Sequence, residues 1–222
     1  MMLEVQNLSV EYENQRQVVK AINNISFKLS KNEVLGITGE SGSGKSTLAM
    51  VLLKLFNSKI SIEGKILFNS LKGLIDIAKI NTTELNRIRG KEIAIIFQDP
   101  ASSLNPLMRC GEQIAEMIKL HNLSKHNAIK PQVIDLLSRV EFDDPLKIFN
   151  AYPFELSGGQ QQRVMIAMAI SCNPQLLIAD EPTSFLDGVS QSSIMNMLKK
   201  IQVESTMSMI LITHQLEMLA SV

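Results

Sequence analysis

GESGSGKST, residues 39–47, is the stretch that decides the fold of this chain. It fits the pattern GxxxxGK[ST] from Gly39 to Ser46. A short apolar run over 34–38 precedes the loop and helical apolar spacing over 48–56 follows it, so a strand, a glycine loop and a helix succeed one another. The glycines let the backbone curl so that successive N–H groups converge on a phosphate. The sequence therefore predicts a phosphate-binding loop at the beginning of a helix.

A glycine turn that merely caps a helix is the alternative to a nucleotide site here. Four fixed positions at ordinary residue frequencies match this pattern by chance about once per hundred chains of this length, and the flanking strand and helix favour the nucleotide interpretation further. In that interpretation Lys45 supplies a positive charge to the β- and γ-phosphate oxygens, and Ser46 offers its hydroxyl to Mg²⁺. The loop residues expected to bind the nucleotide are Gly39, Glu40, Ser41, Gly42, Ser43, Gly44, Lys45, Ser46 and Thr47.

Two acidic residues follow a second apolar strand, predicted over 176–179. Because the carboxyl ends of parallel strands meet at one edge of a sheet, we expect Asp180 and Glu181 to lie beside the phosphate loop. Asp180 is predicted to hold Mg²⁺, and Glu181 to polarise the attacking water as a general base. Taken alone, an acidic pair at a strand end is more often a solvated helix cap. The phosphate loop in the same chain favours the catalytic interpretation.

LSGGQ, residues 156–160, is a second candidate anion site. Its small and polar residues leave backbone N–H groups uncovered, and a helix is predicted directly after it, over 160–169. The positive end of that helix would attract a phosphate. The chain thus has two candidate phosphate-binding loops, and the sequence alone does not say whether both bind the same nucleotide.

Length and composition limit the classes of function. A chain of 222 residues can bury one substantial core, or a core with a small subdomain. The 22 lysines and arginines balance the 22 aspartates and glutamates, without a basic block, so no nucleic-acid partner is expected. Cys110 and Cys172 lack metal-type spacing and are predicted to be reduced thiols of a cytosolic protein. Neither an apolar signal core nor a membrane span of roughly 18 apolar residues is visible.

The rest of the chain predicts alternating strands and helices around a helical insertion. Strands are predicted at 3–12, 21–29, 34–38, 65–68, 93–97, 176–179 and 209–212, the first two as an antiparallel pair. Helices are predicted at 48–56, 83–89, 111–120, 128–140, 160–169 and 191–203, with a last helical turn after the final strand. The proline-punctuated part, about 99–156, is interpreted as a helical subdomain inserted into a single domain that covers residues 1–222.

Together these motifs resemble the ATP-binding subunit of ATP-binding cassette transporters, and the resemblance covers essentially the whole chain. It implies an α/β fold: a P-loop NTPase core with a mixed parallel sheet, an N-terminal antiparallel β subdomain and an inserted helical subdomain. In that family the LSGGQ of one subunit covers the γ-phosphate of ATP held by the phosphate loop of its partner, in a head-to-tail dimer. The resemblance thus implies that ATP is contacted in trans by Ser157, Gly158, Gly159 and Gln160, with Asp187 at the dimer seam.

The resemblance also implies roles for three residues that carry little weight alone. Tyr12 would stack on adenine, Gln98 would contact Mg²⁺ and the transmembrane partner, and His214 would reach the γ-phosphate. An aromatic residue at a strand end more often simply packs, and a lone histidine after an apolar strand is usually structural or exposed. Their positions within the family pattern favour the functional interpretation. The catalytic set is therefore expected to be Lys45, Gln98, Glu181 and His214.

Residues 98–118, QDPASSLNPLMRCGEQIAEMI, are similar to importers of oligopeptides, dipeptides and nickel. This similarity implies an ATPase that is peripheral on the cytoplasmic face of the cell membrane. Its implied partners are a second ATPase subunit, identical or different, two transmembrane permease subunits and, indirectly, a solute-binding protein. Peptides and nickel or other metal chelates both stay open as the imported solute.

Other nucleotide-binding classes explain less of the sequence. A P-loop kinase or GTPase leaves LSGGQ and His214 without a function. A DNA-repair cassette would need a long coiled-coil insertion, and no heptad run interrupts this chain. A translation-factor type would need two cassettes in one chain. A non-transporting cassette that transmits force to membrane or envelope partners has the same chemistry and stays the alternative, although residues 98–117 argue against it.

Two features depart from the family pattern. Phe185 stands where the family usually has a small residue before Leu186 and Asp187, which leaves the geometry of the dimer seam open. Only eight residues follow His214, whereas family members continue with further strands and helices. The C-terminal end of the usual domain is therefore expected to be missing at Val222.

Overall fold

Two four-stranded sheets organise the computed structural model, which describes residues 1–14, 17–56, 60–121 and 128–219. One sheet is antiparallel, with strand order β2-β1-β4-β5. The other is parallel, with strand order β3-β8-β7-β6. The strands are β1 Leu3–Asn14, β2 Gln17–Leu29, β3 Val34–Ile37, β4 Ile60–Ser70, β5 Gly73–Asp76, β6 Ile93–Ile96, β7 Leu176–Asp180 and β8 Ser208–Ile212.

Helices pack around the parallel sheet and fill the part of the chain between β6 and β7. They are α1 Lys45–Leu52, α2 Thr82–Ile88, α3 Pro100–Ser103, α4 Cys110–Leu120, α5 Ile129–Arg139, α6 Pro145–Asn150, α7 Gly158–Ile170, α8 Gly188–Ser205 and α9 Leu216–Leu219, with a 3-10 turn at Pro153–Glu155. Within the described residues, no helix is both long and apolar enough to cross a membrane.

The central strands β7 and β8 are buried along their whole length. Their near-continuous apolar sequences, LLIAD and SMILI, are typical of parallel strands covered on both faces. Leu176 and Ile178 belong to an apolar cluster with α1 and the antiparallel sheet, whereas Leu177 and Ala179 belong to a second cluster with α4, α5, α7 and α8. Alternate side chains of one strand thus join the two halves of the core.

All four strands of the parallel sheet end at the same edge. β3 leads there into the phosphate loop and α1, β7 into Asp180 and Glu181, and β8 into His214. β8 lies between β3 and β7. A single strand therefore separates β7, which carries the acidic pair at its end, from β3, which leads into the phosphate loop. This edge is the usual position of a ligand site in parallel α/β sheets.

The predicted antiparallel pair and parallel sheet are confirmed, with differences at the ends of elements. The helix after the phosphate loop begins at Lys45 rather than 48, since Gly44 in a left-handed conformation directly precedes it. The helix after LSGGQ begins at Gly158 rather than 160, because the Ser157 side chain caps it. Three short elements escaped the sequence patterns: β5, α3 and α6.

Candidate functional site

A cleft of about 720 Å³ opens at the carboxyl edge of the parallel sheet. It brings together most of the residues that the sequence predicted for a nucleotide site. Its lining consists of Tyr12, Val19, Lys20, Ala21, Ser41, Gly42, Ser43, Gly44, Lys45, Ser46, Thr47, Gln98, Glu181 and His214. Val19, Lys20 and Ala21 were not predicted, and they come from β2 of the antiparallel sheet. The cleft therefore lies between the two sheets.

The phosphate loop needs glycine at one position for steric reasons. Gly44 has a φ of 93°, in the left-handed region, and a Cβ there would press against the carbonyl oxygen of Ala21. Gly42 is also left-handed, with a φ of 80°, but a Cβ there would meet open space. Among the glycines of the loop, Gly44 is thus the one that both its backbone conformation and the lack of space for a Cβ require.

The Lys45 side chain stabilises the phosphate loop through hydrogen bonds to its backbone. Its Nζ donates hydrogen bonds to the carbonyl oxygens of Gly39 and Glu40, each at 2.7 Å. An ammonium group has three N–H donors, so one is left for a ligand in the cleft. Because α1 begins at Lys45, the N–H groups of its first turn have no acceptor within the helix. Lysine charge and helix N-terminus together form a site for an anion.

Asp180 is buried at the end of β7, with only 5% of its surface exposed. Its Oδ1 atom accepts no hydrogen bond from any residue that the structure describes. Burial raises the pKa of Asp180 and the nearby charge of Glu181 adds to the effect, while the Ser46 hydroxyl and Lys45 oppose it. A buried carboxyl oxygen without a partner, next to a hydroxyl, fits a hard divalent cation such as Mg²⁺.

The ligand set for such a cation is small. Within the described ranges, no group of three or more His, Cys, Asp and Glu residues could hold a metal ion. Mg²⁺ commonly keeps several waters and binds through one or two carboxylates plus substrate phosphates. Asp180 beside Ser46 suits that type of site.

The carboxylate of Glu181 is held by three side chains. Its Oε2 atom accepts hydrogen bonds from Ser184 Oγ at 2.6 Å and from Gln98 Nε2 at 3.1 Å. Its Oε1 atom lies 3.2 Å from His214 Nδ1. Partial burial disfavours ionisation, but the hydrogen bonds from Ser184 and His214 and the charges of His214 and Lys45 outweigh it, so the pKa of Glu181 is lowered. Glu181 is therefore ionised at neutral pH.

The backbone at Glu181 is unusual as well. Its φ of 48° is left-handed, and its N–H donates to the carbonyl oxygen of Ile212 on β8 at 2.9 Å. A residue other than glycine in this region costs on the order of 1 kcal/mol, and such residues cluster at functional sites. Ser184 was missed by the sequence patterns because a serine in a turn after a strand has no distinctive spacing.

LSGGQ lies elsewhere on the chain. In the described structure none of the residues 157–160 lines the cleft. Ser157 caps α7, since its Oγ accepts from Gln160 N–H at 3.3 Å while Gln160 Oε1 accepts from Ser157 N–H at 3.0 Å. A Cβ at Gly158 or Gly159 would meet only ordinary contacts with Leu186 or Ser190, at 3.9 to 4.0 Å. The two candidate phosphate sites of one chain are thus separate.

Residues 22–184 match the family model described as ABC transporter. This chain belongs to the ABC transporter family. It is 39% identical to the glutathione import ATP-binding protein GsiA of Escherichia coli (strain K12) and 41% identical to that of Pectobacterium atrosepticum, in each case over 99% of this chain. The chain spans 36% of the length of each of these two relatives.

Solved structures support the same family. The ATP-binding cassette MJ0796, in a dimeric post-hydrolysis state bound to ADP and Pi, superposes with a TM-score of 0.84 and 28% identity, covering 98% of this chain and 90% of that one. The structure of cbiO1 from Clostridium perfringens, part of the ABC transporter complex cbiONQ, gives 0.74 and 28%, covering 96% and 78%. The predicted family and fold class are therefore confirmed.

Tyr12 of this ABC family member lies on β1, opposite Val19 of β2 and Ile60 of β4. Tyr12 and Val19 both line the cleft. An aromatic ring beside a valine offers an apolar surface for a planar base.

Asp187 caps α8 next to LSGGQ rather than in the cleft. Its Oδ1 accepts from the N–H groups of Val189 and Ser190 at 3.1 and 3.0 Å, and its Oδ2 accepts from Ser190 Oγ at 2.7 Å. The backbone and hydroxyl bonds of Ser190 lower the pKa of Asp187. Phe185, two residues earlier, is 68% exposed. Because Leu186 and Ser190 lie beside Gly158 and Gly159, LSGGQ and the Asp187 cap share one part of the surface.

Proposed function

We propose that this chain is the ATP-hydrolysing subunit that powers a membrane importer of peptides or of nickel or other metal chelates. One observation carries the proposal. Glu181 is an ionised carboxylate that three side-chain contacts orient in the same cleft as the phosphate loop. A general base must be unprotonated and lie within hydrogen-bond reach of the water that it deprotonates.

ATP would bind along the cleft from Tyr12 to the phosphate loop. Tyr12 stacks on the adenine in this proposal, and the backbone N–H groups of residues 39–47 bind the phosphates. The free N–H of Lys45 and the first turn of α1 add positive charge there. The position of Tyr12 and the geometry of the loop support this orientation.

Mg²⁺ would be held by Ser46 and Asp180, with Gln98 at the same edge. The unpartnered Oδ1 of buried Asp180 supports this assignment. When bound, the ion neutralises negative charge on the β- and γ-phosphates. Asp180 positions it and Ser46 contributes a neutral oxygen.

Glu181 accepts the proton of the attacking water. His214, which faces Oε1 of Glu181 and is about half exposed, can reach the γ-phosphate from the same side of the cleft. Gln98 contacts Glu181 Oε2, and only Asp99, the N-cap of α3, separates it from that helix, so the site is linked to the helices of about residues 99–156. We infer that this helical subdomain and Gln98 transmit closure of the site to the membrane subunits.

A second subunit completes the site in this proposal. Ser157, Gly158, Gly159 and Gln160 form an anion-binding helix N-terminus that lies outside their own cleft. The dimeric, ADP- and Pi-bound form of MJ0796 supports the interpretation that LSGGQ covers ATP of a partner cassette. Asp187 would lie at the same seam. The partner ATPase is either a second copy or a different chain.

The remaining partners follow from the importer assignment. GsiA is named as an import ATP-binding protein, and residues 98–118 resemble peptide and nickel importers. We infer two transmembrane permease subunits, an indirect solute-binding protein, and a peripheral position on the cytoplasmic face of the membrane.

The Glu181→Gln variant tests this function. Nucleotide binding should persist and an ATP-bound dimer should accumulate in gel filtration. ATP turnover should fall at least about 100-fold, the size of a typical general-base contribution. Glu63→Gln, an exposed change on β4, is the matched control and should behave as wild type. Normal turnover of Glu181→Gln would overturn the proposed base.

A further inference from the structure

Ser184 makes the shortest hydrogen bond to the Glu181 carboxylate. Its Oγ lies 2.6 Å from Oε2 of Glu181 and 3.2 Å from the backbone carbonyl oxygen of the same residue. A hydroxyl has one proton to donate. The shorter distance is typical of an O–H group bonded to an ionised carboxylate, which makes Oε2 the principal acceptor.

The two oxygens of the Glu181 carboxylate are engaged unequally. A carboxylate oxygen offers about two acceptor sites. Oε2 uses both, one for Ser184 and one for Gln98, whereas Oε1 uses one for His214. A water molecule can therefore hydrogen-bond to Oε1 without displacing a partner.

We propose that Ser184 is a positioning residue that anchors Oε2 of Glu181, so that Oε1 faces the attacking water beside His214. This inference rests on the proposed role of Glu181 as general base. Ser184 is not among the residues that line the cleft, so it acts through Glu181.

The place of Ser184 in the chain suits it to this role. Its N–H donates to the carbonyl oxygen of Glu181 at 3.3 Å, and Leu186 N–H donates to that of Thr183 at 3.1 Å, so base and anchor share one turn. The other two contacts are 0.5 and 0.6 Å longer and come from exposed side chains on other segments, Gln98 and His214. Because Ser184 lies in the same turn as Glu181, it restricts the rotamers of that side chain independently of the other two segments.

Kinetics of the 222-residue chain with Ser184→Ala and Ser184→Thr test the inference. Ser184→Ala should lower kcat about 10- to 100-fold, which is the effect of misplacing a reacting group by about 1 Å. KM and ATP affinity should stay within about 2-fold of wild type, because Ser184 is not among the residues that line the cleft. Ser184→Thr keeps the hydroxyl and should restore most of kcat. An unchanged kcat in Ser184→Ala, or no rescue by threonine, would overturn the proposal.

A double variant separates this inference from the proposed function. In a Glu181→Gln background, Ser184→Ala should cause no further loss of turnover, since the anchored base is already absent. The same fold-loss in both backgrounds would mean that Ser184 acts independently of Glu181 and would overturn the inference. Normal turnover of Glu181→Gln alone would instead overturn the proposed base, whatever Ser184 does.

Discussion

Gly44 and Ala21 meet where the phosphate loop touches the antiparallel sheet. The carbonyl oxygen of Ala21 occupies the place that a Cβ on Gly44 would need, and Gly44 is itself left-handed with a φ of 93°. Strand β2 thus restricts the conformation of the phosphate loop through Ala21, and it also lines the cleft. Replacement of Gly44 must shift either the loop or the strand.

Gly44→Ala should therefore lower ATP affinity at least about 10-fold, because strained backbone and steric overlap both displace the N–H groups. Gly42→Ala is the matched control, since it has the same left-handed backbone but open space around the new methyl group. Its loss of affinity should be clearly smaller. Titration with a fluorescent ATP analogue measures both, and equal losses would contradict the steric explanation.

Asp180→Asn should raise the melting temperature measured without Mg²⁺ and nucleotide. The variant removes a buried charge whose Oδ1 has no hydrogen-bond partner among the described residues, and such a charge destabilises the folded chain. The same variant should lose most of the extra stabilisation that Mg²⁺ with ATP gives the wild type. Thermal unfolding with and without both ligands checks the two effects. A lower melting temperature without ligands would contradict this account of Asp180.

Arg163 lies on α7, three residues after LSGGQ, and joins this helix to the end of α5 and to α8. Its Nη1 donates to the Val140 carbonyl oxygen at 2.7 Å and to Glu141 Oε2 at 3.2 Å, and its Nη2 donates to Ser193 Oγ of α8 at 2.9 Å. Arg163→Leu should lower the free energy of unfolding by about 1–3 kcal/mol, because a buried carbonyl loses its donor. Urea denaturation gives the value. Exposed Arg87→Leu on α2 serves as control and should change stability by less than about 0.5 kcal/mol.

The buried thiol of Cys110 makes the free energy of unfolding depend on pH in the alkaline range. Burial, with a smaller effect from Glu155, raises the pKa of this thiol from 9.0 to about 11. Above pH 9 the unfolded chain releases the thiol proton while the folded chain keeps it, so the free energy of unfolding falls as the pH rises towards 11. The slope from this group approaches about 1.4 kcal/mol per pH unit. Urea denaturation of Cys110→Ala should show a shallower slope in that window; an equal slope would contradict the assignment.

Local patterns predicted much of this protein. The phosphate loop, Asp180 and Glu181 depend on residues next to one another in the chain, so spacing alone indicates them. The cap at Ser157 was not predicted, and the helix after it begins two residues earlier than expected. Two missed helices also had local signals, since Asp99 and Asp144 cap α3 and α6 directly before Pro100 and Pro145.

The other features that the sequence patterns missed depend on contacts between residues that are not adjacent in the chain. The four-residue strand β5 exists through pairing with β4, and its own sequence has no clear alternation. The contact of Ala21 with Gly44 joins residues of different elements. The hydrogen bond from Ser184 to Glu181 depends on a left-handed backbone that sequence does not indicate for a glutamate.

The central claim, that LSGGQ of one subunit completes the ATP site of another, is tested by mixing two inactive variants. Ser157→Asp keeps a good helix cap but repels phosphate, and Lys45→Ala weakens nucleotide binding. In an equal mixture, half of randomly paired dimers contain one of each chain and have one intact composite site, so about a quarter of the wild-type sites are restored. The account predicts that ATP hydrolysis reappears on mixing, at about a quarter of the wild-type rate. Gel filtration with ATP shows whether the mixed chains pair with one another; paired chains that are no more active than the average of the two separate variants would contradict it.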